Sequence, residues 1–132
     1  MSNEIVFEMV SAIFDEAITT YARCARWASL DENGEAYGDS VQIHYWTLKQ
    51  MREEVDAFLS AVAFLRPLDV WPAIAADPGQ FGHDLWLTRN GHGAGFWDGD
   101  WPEPAATVLT DLAKIMGERD LILTDGGELQ YS

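Results

Sequence analysis

His83 to Asp98, read as HDLWLTRNGHGAGFWD, decides how the second half of this chain is expected to fold. Leu85 and Leu87 alternate with Trp86 and Thr88, the period of two that places successive side chains on opposite faces of a strand. Asn90-Gly91 follows, and that pair suits a type I′ turn because both central positions must tolerate positive φ. Gly95-Phe96-Trp97 supplies a return strand. The stretch therefore predicts a β-hairpin with a polar, glycine-rich tip standing on an aromatic base.

Working outward, residues 4 to 28 repeat apolar side chains at Val6, Val10, Ile13, Ala17 and Tyr21. This is the spacing of an amphipathic helix, with acids in its first turns where the helix dipole favours them. Leu30 to Asp39 has two glycines and four acids and no apolar period, so a loop is expected. Asp39 or Ser40 can cap a second helix whose stripe runs from Val41 through Tyr45, Leu48, Met51, Val55, Phe58 and Val62 to Leu65, with Pro67 ending it. A short piece over Val70 to Ala76 is possible, and Asp77-Pro78-Gly79 reads as a turn. Beyond the hairpin, Pro102 and Pro104 open a helix that Gly117 stops. Leu121 to Thr124 and Leu129 to Tyr131 flank Asp125-Gly126-Gly127 as a second hairpin.

The expectation is an α+β fold in one domain, residues 1–132. An N-terminal antiparallel helical hairpin covers about residues 4–66. A ββαββ part covers about residues 81–132 and forms a four-stranded antiparallel sheet.

The chain has 132 residues, 48% of them hydrophobic, with six Trp, four Tyr and six Phe, which separates it from acidic disordered tails. Eight Lys+Arg against 22 Asp+Glu give a formal charge of −14, which repels phosphate backbones and disfavours direct nucleic-acid binding. The one cysteine, Cys24, has no partner for an internal disulfide and fits a reducing cytosol. The start of the chain has no basic stretch, so no secretory signal is expected, and no window reaches the ~20 apolar residues of a membrane span.

The segment from Gly82 to Asp98, the downstream helix and the LILTDGGELQY hairpin resemble a family of small phage and prophage proteins. The likeness extends upstream through Ala25-Arg26-Trp27-Ala28-Ser29 and Met51 to Leu59, so it spans most of residues 25 to 132 but not the first helix. The family has no assigned reaction. What the resemblance implies is a mobile-element setting in the cytoplasm of a host cell.

Several constellations were weighed for chemistry. His83, Asp84, His92 and Asp98 are legitimate zinc or manganese ligands, and a metal-dependent hydrolase is the rival hypothesis they raise. Adjacent His and Asp on a strand point to opposite faces, however, and no second His follows at helical ligand spacing. Gly91, Gly93 and Gly95 lack the lysine and following helix of a phosphate loop. No serine or cysteine has a nucleophile's context. The expectation is thus a binding protein with no metal, no cofactor and no catalytic residue.

Candidate interface residues are Trp86, Arg89, His92 and Trp97 at the hairpin tip, being types that dominate binding hot spots. Asp31, Glu32, Glu35 and Asp39 in the loop join them, as do Glu53, Glu54 and Asp56 on the second helix. Carboxylates spread over a rigid surface can imitate the charge of a DNA duplex and occupy a basic groove. Combined with the resemblance, this implies an inhibitor of a nucleic-acid-handling host protein, such as a CRISPR or restriction component. A self-assembling phage accessory protein with no inhibitory role is the other alternative, and Trp27, Trp46 and Trp71 are candidates for a homodimer seam.

Overall fold

The structure, a computed structural model, describes residues 3–132. Among them are five α-helices and one two-stranded sheet: α1 Asn3–Ala28, α2 Tyr45–Leu65, α3 Trp71–Ala76, α4 Pro78–Arg89, α5 Ala105–Met116, β1 Leu121–Leu123 and β2 Leu129–Tyr131. The expected four-stranded sheet is absent among these residues. The protein is mainly helical, and the sheet is the single antiparallel pair β1–β2 in which Leu121 faces Tyr131 and Leu123 faces Leu129.

The correction centres on the opening stretch. Residues 83–89 are the last two turns of α4 and not a strand. Asp77-Pro78-Gly79 starts that helix: the Asp77 carboxylate accepts from the Gln80 amide at 3.1 Å, and Pro78 occupies the first helical position, where its missing N–H costs nothing. Asn90-Gly91 ends it. Gly91 has φ +68°, its amide donates to the Thr88 carbonyl, and the His92 amide donates to the Leu87 carbonyl. These two bonds are the pair that closes a Schellman stop. An Asn-Gly step satisfies a hairpin turn and this helix stop equally well, because both need a left-handed residue.

The helical period is hidden because polarity does not follow it in α4. Phe81, Gly82, Asp84, Leu85, Trp86, Thr88 and Arg89 are all buried, while Gly79, Gln80, His83 and Leu87 face outward. With three polar residues inside and a leucine toward solvent, the helix carries no amphipathic stripe. The residues after Gly91 do not return as a strand. They form a loop that lays Phe96 against Phe81 and Trp101, with ring centroids 5.7 and 5.4 Å apart.

Nor do α1 and α2 form the expected antiparallel hairpin. The C-terminal half of α1, from Ala17 onward, packs against α4, and Gly82 makes that approach possible. A Cβ on Gly82 would lie 2.1 Å from the Ala17 carbonyl oxygen and 2.2 Å from Thr20 Oγ1. Helix α2 begins at Tyr45, later than its apolar stripe suggests, because residues 42–44 are drawn alongside β2. Leu129 donates to the Gln42 carbonyl, and the His44 amide donates to the Leu129 carbonyl at 2.7 Å. The cap is accordingly His44, whose Nδ1 accepts from the Trp46 amide, and not Asp39 or Ser40.

One hydrophobic core draws on α1, α2, α4, α5 and both strands, with Tyr21, Met51, Leu59, Phe81, Leu85, Leu109 and Leu129 fully enclosed. No helix among the described residues is long and apolar enough to cross a membrane.

Candidate functional site

Two of the four expected hairpin-tip residues lie inside the protein. Arg89, 3% exposed, is the hub of a buried polar network. Its Nη1 donates to Glu54 at 2.7 Å and to the Tyr21 hydroxyl at 2.9 Å. Its Nε donates to the Gly117 carbonyl at 2.8 Å, and Nη2 donates to the Met116 carbonyl at 3.2 Å. The last two bonds place a fixed positive charge at the end of α5, where the helix dipole is negative and the carbonyls lack partners. Glu54 also accepts from the Tyr131 hydroxyl at 2.7 Å. Arg89 thus joins α4 to α1, α2, α5 and β2. Burial pushes the Tyr21 and Tyr131 hydroxyls up from their ordinary values. The guanidinium, although desolvated, is raised on balance by its contacts with Tyr21 and Glu54.

Trp86 is 2% exposed and packs edge-on against Tyr21 at 5.4 Å. Trp86 and Arg89 are therefore core residues and cannot present themselves to a partner. The assignment of Glu54 to an open acidic face is corrected likewise, since its carboxylate is used internally. Asp56 is partly buried beside Arg52, and Asp39 pairs with Arg26 at 3.4 Å.

The metal-ligand constellation is not assembled. Asp84 is sealed in the core, accepting from the Trp101 indole at 2.7 Å and the Gln80 amide at 3.0 Å, with His83 Nδ1 3.2 Å away. Asp98 turns back to accept from the Gly95 amide. Among the described residues no three His, Cys, Asp or Glu side chains are grouped to hold a metal ion. His83 does border a groove of about 640 Å³ between α1 and α4, together with Arg23, Cys24 and Trp27. The Cys24 thiol there is pushed up to about 12, chiefly by burial and further by the charge of Asp84, so it is held protonated and is no nucleophile.

The residues that remain outward converge elsewhere. Asp31 closes its own loop by accepting from the Asn33 and Glu35 amides, and Leu30 bridges to Ala36 across that loop. This small acidic projection stands opposite β1. Between the two run adjoining hollows of about 440 and 690 Å³ that share Leu30, Leu121 and Ile122. Glu32 and Glu35 line one end, while His92, Glu118 and Asp120 line the other. Leu30, Ile122 and Leu123 expose 60%, 45% and 49% of their surface along it, an apolar floor under an acidic rim. Trp86 reaches this groove from below, and its buried Nε1 finds no acceptor. Sequence reading named the loop acids and His92 but missed the groove. Its only trace was that Ile122 and Leu123 are both apolar where a two-faced strand needs one. Trp97 and Glu53 are exposed and lie outside it.

Comparison with models of protein families, with curated proteins and with solved structures returned no match.

Proposed function

We propose that this chain is an acidic accessory protein that works by protein–protein binding, covering the basic surface of a nucleic-acid-handling host protein of CRISPR or restriction type and thereby inhibiting it. The observation that carries this reading is how the charge is disposed. Arg26, Arg52, Arg66 and Arg89 each hold a carboxylate within the fold, and Lys49 and Arg119 lie over the rings of Trp46 and Tyr131. Glu32, Glu35 and Glu53 meanwhile stand exposed and, among the described residues, in no ion pair. A −14 chain in which four of its eight cations are held by its own carboxylates presents a negative field outward. Such a field steers basic partners and competes with a duplex for the same groove.

The test is binding to purified CRISPR effector and restriction proteins between about 50 and 500 mM salt, where screening shortens the reach of exposed charges. Binding that duplex DNA displaces, that weakens steeply with salt and that the Glu32→Lys/Glu35→Lys/Glu53→Lys variant loses is the expected result. Binding indifferent to salt and to those reversals, or none across the set, overturns the reading.

A further inference from the structure

The outer edge of β1 is an unpaired hydrogen-bonding surface. Thr124 donates to the Glu128 carbonyl and Ser132 to the Asp120 carbonyl, so in this antiparallel register the even-numbered residues of β1 bond to β2. Leu121 and Leu123 turn their N–H and C=O groups the other way, and among the described residues those groups bond to nothing. On the far side of the sheet the equivalent groups of Leu129 are satisfied by Gln42 and His44, and the Tyr131 amide by Thr47 Oγ1. Only the β1 edge is left open, and it borders the groove facing the 30–36 loop.

We infer that this edge binds an extended peptide segment, alternating basic and apolar residues, as an added β-strand. The inference rests on the reading of a basic partner and specifies which part of that partner docks. Main-chain bonds to Leu121 and Leu123 supply the anchoring that strand addition uses, and pockets at alternate positions supply selectivity. Leu123, on the face of β1 that also carries the buried Leu121, receives the apolar side chains, while Asp120 and Ile122 share the opposite face with the basic ones. Glu32 and Glu35 on one wall and Glu118 and Asp120 on the other meet the basic ones, none of these four being held in an ion pair among the described residues. Arg119, the cation on that wall, is kept over the Tyr131 ring at 3.9 Å. The wall from 118 to 123 is six residues, roughly 20 Å of extended chain, which sets the length of the segment. Charge selects this occupant over a second copy, since two β1 edges joined together would bring two −14 chains and the same acids face to face.

The experiment is an amide NMR titration of the full chain with an acetylated hexapeptide alternating lysine and valine. Two further peptides are N-methylated, one on every lysine and the other on every valine. A strand added at the edge uses the amides of one peptide face only. One methylated peptide should therefore lose binding by at least about tenfold while the other retains it, and the Leu121 and Leu123 amides should shift and exchange more slowly. Leu123→Pro removes an edge donor without touching the ladder, and should weaken the unmodified peptide by a similar factor. Glu32→Lys/Glu35→Lys, whose substitutions lie on an exposed loop, should do the same. Equal binding of both methylated peptides, no binding up to about 1 mM, or a dimer that Leu123→Pro dissolves would each overturn the inference. If Leu123→Pro keeps salt-sensitive binding to an intact CRISPR or restriction protein, the edge site falls and the basic-partner reading survives. Peptide binding at the edge with no partner in that set supports the site while overturning the proposed function.

Discussion

Gly82→Ala isolates the contact on which the fold turns. The added methyl would sit 2.1 Å from the Ala17 carbonyl oxygen, 2.2 Å from Thr20 Oγ1 and 2.9 Å from the Tyr21 nitrogen. Thr20 can rotate, but two of the three atoms are backbone of α1 and cannot. To bring the shortest contact to the 3.4 Å of ordinary packing, α4 must retreat from α1 by about 1.3 Å. Overpacking of this kind costs about 1–3 kcal/mol, and more where the obstacle is main chain. The retreat also stretches the 2.9 Å bond from Arg89 to Tyr21 and loosens the Tyr21–Trp86 ring pair. Alanine returns up to about 1 kcal/mol through its better helix propensity. With the main-chain clash and alanine's return roughly offsetting, the net expectation is a loss of about 1–3 kcal/mol, or roughly 8 °C in Tm for a chain of this size.

Gly79→Ala is the control on the same helix. Its Cβ would meet only the Glu16 Oε1 at 2.9 Å, the free end of an exposed side chain, so the change should stay within about 0.5 kcal/mol. Urea unfolding followed by circular dichroism reads both. A Gly82→Ala protein as stable as the parent, or a Gly79→Ala protein that is the weaker of the two, would refute the close-crossing account.

Arg89→Met should destabilise by about 2–4 kcal/mol, near the lower end for breaking a buried ion pair because Glu54 retains some solvent access; Arg89→Met with Glu54→Gln should recover part of that loss in the same urea assay. Cys24 should resist thiol labelling in the native protein at about pH 9, where an ordinary thiol is largely ionised, and react on unfolding. Stability should fall as pH rises above about 8.5: Cys24, Tyr21 and Tyr131 all have raised values in the folded state, so the unfolded chain loses its protons first and is favoured in that window. A urea midpoint that is flat from pH 7 to pH 10.5 would contradict those assignments.

Local chemistry decides the elements whose faces differ. The helix of α1, the halt of α2 before Pro67, the Gly117 stop of α5 with φ +77°, and the β1–β2 hairpin over Asp125-Gly126-Gly127 follow from periodicity and turn residues alone, although of the α1 stripe Val6 and Val10 stand exposed and only Ala17 and Tyr21 are buried. The acidic loop was equally plain, since four carboxylates and two glycines in ten residues bury nothing. Periodicity failed at α4 because Asp84, Thr88 and Arg89 are buried while Leu87 faces outward beside His83, so polarity does not mark the helix period, and Asn90-Gly91 serves a helix stop as readily as a hairpin. The tertiary structure alone settled that Gly82 is a helix crossing, that Arg89 and Glu54 form an internal joint and not a surface patch, and that the edge of β1 faces the 30–36 loop. Each of these depends on which distant segments share a boundary, and that depends on how the buried surfaces fit together, not on the properties of any one stretch of chain.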